Sequence, residues 1–125
     1  MTHRHILVVD NDPGILGMLG LALGTHGFVV TTASSGPEAV RTYERERGRI
    51  GLVLLDVRMP GMDGPQTLAA LRGVDPSVRC CFMTTGTGDY SREDLLGMGA
   101  AEVFEKPFGL ADLARRLGGV ADGVA

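Results

Sequence analysis

Four polar residues close apolar stretches of this chain, and together they could manage a phosphoryl group. Asp56 ends the run Leu52-Val53-Leu54-Leu55, Asp10 follows Ile6-Leu7-Val8-Val9, Thr84 follows Met83, and Lys106 stands after Val103-Phe104 and before Pro107. Apolar runs of this length, bounded by turn residues such as the Pro60, Gly61 and Gly64 that follow Asp56, read as buried strands. If the strands are parallel, their carboxyl ends share one edge, where ligands gather in open α/β sheets. Two carboxylates, a hydroxyl and an ammonium then converge, with Asn11 and Asp12 beside them. Two carboxylates ~4 Å apart repel by about 4 kcal/mol at an effective dielectric of ~20, and a bound cation or a raised pKa relieves that repulsion. Oxygen ligands from Asp, Asn and a backbone carbonyl suit Mg²⁺. In such a site an Asp can be the nucleophile, the metal neutralises charge, and Lys and Thr hold phosphoryl oxygens. No Gly-rich phosphate loop follows the first apolar run, which argues against nucleotide binding.

The elements that must position these groups alternate. Ile6 to Val9 predicts a strand, and Asp12-Pro13 opens a helix as N-cap and first helical residue. Its apolar stripe is Ile15, Leu16, Leu19, Ala22 and Leu23, with Gly24 or Gly27 as terminator. Phe28 to Thr32 predicts a second strand, and Ser35-Gly36-Pro37-Glu38 a second helix that turns Ala39, Val40 and Tyr43 inward. Strands over Leu52–Leu55 and Val78–Met83 flank a short helix near Pro65–Arg72, capped by Asp63 and burying Leu68 and Leu71. Ser91 starts a fourth helix, Val103-Phe104 belongs to a short fifth strand, and Gly109 to Leu117 forms the last helix around Leu110, Leu113, Ala114 and Leu117. Five strands alternating with five helices imply a parallel sheet covered on both faces, and right-handed crossovers make it doubly wound. Residues 1–125 read as a single domain with its core over about 5–118 and a frayed tail over 119–125.

Composition excludes several function classes. The net charge of −3 and the absence of a basic run argue against nucleic acid; Arg41 to Arg49 is interleaved with Glu44 and Glu46 and reads as a solvated helix face. No stretch is long and apolar enough to span a membrane, and the polar start, Met1 to His5, is no signal peptide. The adjacent Cys80 and Cys81 match no metal or redox spacing and are expected as core residues on opposite strand faces in a reduced, cytoplasmic protein. His3, His5 and His26 show no ligand spacing, and Met59, Met62 and Met98 are expected to pack.

The pieces Ile6-Leu7-Val8-Val9-Asp10-Asn11-Asp12-Pro13, Asp56-Val57-Arg58-Met59-Pro60-Gly61-Met62-Asp63-Gly64, Met83-Thr84-Thr85-Gly86, Gly99-Ala100 and Lys106-Pro107-Phe108 occur in this order. With them the chain resembles the receiver domain of a two-component response regulator, from Ile6 to about Leu117. The resemblance implies a flavodoxin-like sheet in the order 2-1-3-4-5. It implies that Asp56 accepts a phosphoryl group from a sensor histidine kinase or a phosphotransfer protein, the domain catalysing its own phosphorylation and dephosphorylation. Mg²⁺ would be held by Asp10, Asp56 and the carbonyl of Arg58, with Asn11 beside them. Thr84 would move to hydrogen-bond the phosphoryl group, Lys106 would pair with it, and the Lys106–Pro107 bond would be cis. The added charge, about −1.5 to −2, would switch a surface for a downstream protein. The last helix–strand–helix face would also serve a homodimer.

Three positions depart from that pattern. Asn11 stands where a second acid is usual, which predicts weaker Mg²⁺ binding. The usual aromatic three residues before the lysine is replaced by Val103, and period-2 alternation puts Phe104 on the opposite, core-facing side. Gly86 has no side chain with which to orient an attacking water, so hydrolysis is not assisted there; Arg58 holds the other position that tunes phosphoryl lifetime. Asn11 and Val103 keep a rival open, a pseudo-receiver that binds partners without phosphorylation. A metal-dependent phosphate-ester hydrolase is a weaker third reading. Asp12 is expected to cap the first helix ahead of Pro13, with electrostatic compensation for the charge lost at Asn11 as the alternative, and Asp63 to cap the third, with Gly64 easing the chain's entry into it.

Overall fold

The computed structural model describes residues 4–123. His3 and the last two residues of the expected frayed tail lie outside the described residues. Strands β1 (His5–Val9), β2 (Val29–Ala33), β3 (Leu52–Asp56), β4 (Cys80–Thr84) and β5 (Val103–Glu105) alternate with helices α1 (Pro13–Thr25), α2 (Gly36–Arg45), α3 (Gly64–Val74), α4 (Arg92–Gly97) and α5 (Leu110–Ala121). The strands form one parallel sheet in the order β2-β1-β3-β4-β5. This is the flavodoxin-like doubly wound fold that the sequence implies.

Strands β3 and β4 are buried along their whole length, and β1 is buried from Ile6 onward. That accounts for their unbroken apolar runs, because a strand covered on both faces has no solvent side to mark with polar residues. Alternate side chains feed two cores. Leu7, Val9, Val53, Leu55, Cys80, Phe82 and Val103 face α2, α3 and α4, whereas Ile6, Val8, Leu52, Leu54, Cys81, Met83 and Phe104 face α1 and α5. Cys80 and Cys81 are free, buried and divided between the two cores, as expected.

Caps set the helix starts. Asp12, Ser35, Asp63 and Ser91 each accept a backbone N–H from the first turn, and Asp63 and Ser91 complete reciprocal capping boxes with Gln66 and Asp94. α1 stops at Thr25, and Gly27 just beyond its cap turns the chain away with a φ of 88°, the left-handed conformation that glycine tolerates. Gly24 remains within the helix.

The last helix corrects the sequence reading. Gly118 and Gly119 mark an end by propensity, yet α5 runs to Ala121. Val120 and Ala121 are buried against the core, Arg79 donates to the Val120 carbonyl, and Arg4 pairs with Asp122 at 3.1 Å. Tertiary burial overrides the local cost of glycine. The tail is therefore packed through residue 121 rather than frayed from 119. No helix among the described residues is long and apolar enough to cross a membrane.

Candidate functional site

Strand register assembles the site. Val9 pairs with Leu55, Asp56 with Met83, and Thr84 with Glu105. The residues that follow or end these strands, Asp10, Asp56, Thr84 and Lys106, therefore meet at one edge. They line a single cleft of about 290 Å³ with Asn11, Asp12 and Arg58. Every site residue expected from the sequence is in this cleft.

Two carboxylates are taken out of water here. Asp10 is 1% exposed and Asp56 6% exposed. Lys106 lies between them, its Nζ donating to Asp10 Oδ2 at 3.2 Å and to Asp56 Oδ1 at 3.1 Å. The other Asp10 oxygen accepts the Asp12 N–H at 2.9 Å. One ammonium thus serves two buried carboxylates.

The electrostatics follow. Burial pushes the Asp56 carboxyl above its ordinary range, repulsion from Asp10 adds to this, and the bonds from Lys106 and the Arg58 N–H only partly draw it back. Burial alone would lower the Lys106 pKa; its bond to Asp56 and the charges of Asp56 and Asp10 outweigh that and hold it above the ordinary value. Lys106 stays charged, and Asp56 is a stressed, basic carboxylate. Thr84, also buried, accepts the Gly86 N–H on Oγ1 at 3.1 Å. The Lys106–Pro107 peptide is cis, as the resemblance implied.

Gly64 has a more specific role than an easy helix entry. A Cβ there would lie 2.7 Å from the Asp56 carbonyl oxygen and 2.9 Å from Val57 Cα. The start of α3 rests directly on the backbone that carries Asp56, and only glycine allows that approach. Proline-glycine spacing alone marks a turn and does not reveal this contact.

Two features escaped the sequence reading. Tyr90, in the loop after β4, donates its hydroxyl to Asp63 Oδ2 at 2.9 Å. Together with Val57, Arg58, Met59 and Pro60 they line a second cleft of about 480 Å³ next to the first. Tyr43 donates to Asp75 at 2.7 Å from within the core. Neither pair has a sequence signal, since the partners lie 27 and 32 residues apart.

The comparisons with known proteins agree with this geometry. The family model of the response regulator receiver domain matches residues 6–118. The transcriptional regulatory protein GlrR of Escherichia coli is 43% identical over 86 residues, covering 67% of this chain and 19% of that protein. Sporulation initiation phosphotransferase F of Bacillus subtilis is 32% identical over 117 residues, covering 90% of each. Among solved structures, the CheX–CheY–BeF3–Mg²⁺ complex from Borrelia burgdorferi superposes with a TM-score of 0.84 at 30% identity, covering 93% of this chain and 87% of that one. The chain belongs to the response regulator receiver domain family of two-component systems. It spans only about a fifth of the length of GlrR and about half that of the PrrA regulators of Mycobacterium.

Proposed function

We propose that this receiver domain takes a phosphoryl group onto Asp56 from a phosphohistidine of a sensor kinase or phosphotransfer protein, in a Mg²⁺-dependent step, and thereby switches a protein-interaction surface. The observation that carries this reading is the single Lys106 ammonium shared between buried Asp10 and Asp56 beside the Thr84 hydroxyl.

Chemically, an oxygen of the Asp56 carboxylate attacks phosphorus, the P–N bond to the donor imidazole breaks, and the imidazole leaves with the electron pair. Asp56 supplies the attacking oxygen as a carboxylate held out of bulk water at the cleft. Lys106, fixed by Asp10, stays within reach of the product oxygens, and Thr84 can donate to one of them. The donor set fits Mg²⁺: two hard carboxylates, Asp10 and Asp56, line the cleft together with Asn11 and Arg58, which would add an amide oxygen and a backbone carbonyl, and the cleft has room for the waters this ion retains. When bound, Mg²⁺ supplies charge neutralisation for the incoming phosphoryl group. Gly86 leaves hydrolysis unassisted from its position. For the contact with a downstream protein or a second copy we favour the face of α4, β5 and α5, where Leu96 is exposed and Arg116, ion-paired with Glu102, lies over the Phe104 ring.

The pseudo-receiver reading retains two observations: Asn11 at the cleft and Val103, which is buried and offers no ring to rotate. Intact mass after incubation with Mg²⁺ and acetyl phosphate separates the readings. One added phosphoryl group, lost in Asp56→Asn, supports the phosphoacceptor. An unmodified chain supports the pseudo-receiver, and catalytic release of phosphate without an adduct supports a hydrolase.

A further inference from the structure

Val103 fills the position from which an aromatic ring would report on Thr84, and it is sealed in the core at 1% exposure. A different aromatic is mechanically connected to Thr84. The Thr84 hydroxyl accepts the Gly86 N–H at 3.1 Å and so fixes the start of the β4–α4 loop. That loop carries two glycines with positive φ, Gly86 at 82° and Gly88 at 115°, a conformation that glycine adopts without steric cost. Its far end is held by Tyr90, whose partly buried ring packs on the core cluster containing Val57 and Met59 and whose hydroxyl donates to Asp63 Oδ2 at 2.9 Å. Asp63 is the N-cap of α3, the helix whose first residue, Gly64, rests on the Asp56 backbone. The loop is thus tied at one end to Thr84 and at the other to the helix start beneath the phosphoacceptor.

We propose that the Tyr90–Asp63 hydrogen bond is a latch that holds the β4–α4 loop against α3 while Asp56 is unmodified, and that it opens when Thr84 turns toward the phosphoryl group. This rests on the reading of Asp56 as phosphoacceptor. A turn of Thr84 that takes Oγ1 away from the Gly86 N–H frees the loop start. The loop then moves with the threonine and draws the phenol from Asp63. The latch also opposes modification, because the arrangement that favours the phosphoryl group must break it.

The chain has no tryptophan and two tyrosines, so in Tyr43→Phe the fluorescence of Tyr90 reports the latch alone. A carboxylate acceptor quenches phenol emission. Addition of Mg²⁺ and beryllofluoride, a phosphoryl mimic, should raise that emission, and Asp63→Ser, which keeps a capping residue, should raise it without the mimic. Tyr90→Phe should accept phosphoryl from acetyl phosphate about fivefold faster, the change in population that one net hydrogen bond corresponds to. Intact mass is read in parallel. A phosphoryl adduct with unchanged Tyr90 emission, or an unchanged rate in Tyr90→Phe, overturns the latch and leaves the phosphoacceptor standing. Absence of any adduct overturns both.

Discussion

Replacing Asp56 by Asn should stabilise the domain at neutral pH, because the site is electrostatically overloaded with carboxylate. Lys106 Nζ lies 3.1 Å from one Asp56 oxygen and 3.2 Å from one Asp10 oxygen, so the two carboxylates stand within about 6 Å of one another. At an effective dielectric of ~20, like charges at that separation repel by about 3 kcal/mol. The substitution removes this repulsion and the desolvation of a carboxylate that is 6% exposed. It forfeits one ion pair, while Lys106 keeps its bond to Asp10. We expect a net gain of about 1–2 kcal/mol, or about 4–8 °C in Tm for a chain of this size. The sign has a pH signature. The folded pKa of Asp56 lies above its ordinary value of 3.8, so its ionisation costs folded-state stability above the folded pKa and costs nothing below 3.8. The gain in Asp56→Asn should therefore be full near neutral pH and vanish as pH falls through the folded pKa toward about 4. Mg²⁺ should narrow the gap by stabilising the native wild type. Thermal unfolding followed by circular dichroism across this range is the assay. An Asn variant no more stable than wild type at neutral pH, or one whose advantage grows on acidification, refutes the reasoning.

Other outcomes follow from single contacts. Asn11→Asp restores an acidic oxygen at the cleft and should tighten Mg²⁺ binding in a magnesium titration; equal affinity would remove Asn11 from the donor set. Gly64→Ala pushes a methyl against the Asp56 carbonyl at 2.7 Å and Val57 Cα at 2.9 Å, backbone that cannot step aside. It should cost about 1–3 kcal/mol in denaturant unfolding and slow phosphorylation by displacing Asp56. Burial pushes the Cys81 thiol up to about 12 and the Cys80 thiol well above its ordinary value. Neither should react with a thiol reagent in mildly alkaline buffer until the chain unfolds, and labelling in the native state would contradict their burial.

Sequence made the sheet legible because β1, β3 and β4 are buried on both faces and so appear as unbroken apolar runs. The polar residue that ends each run then marks the strand's exit to the functional edge, which is why Asp10, Asp56 and Thr84 stood out. Helix starts were equally plain, since Asp12, Ser35, Asp63 and Ser91 cap by local rules. The end of α5 was hidden because Gly118 and Gly119 oppose helix by propensity while long-range contacts from Arg79 and Arg4 sustain it. Gly64 looked like a turn residue because the backbone it touches is distant in kind from any sequence signal. Tyr90 carries no sequence signal for the same reason, its partner Asp63 being brought near only by the parallel pairing of β3 and β4.

Borohydride reduction of the domain after treatment with acetyl phosphate and Mg²⁺ tests the central claim most directly, because it converts an aspartyl phosphate to homoserine. Peptide mass mapping should then find homoserine at position 56 and unmodified Asp at positions 10, 12 and 63. Homoserine at one of those other positions, or at none, would contradict Asp56 as the residue that accepts the phosphoryl group.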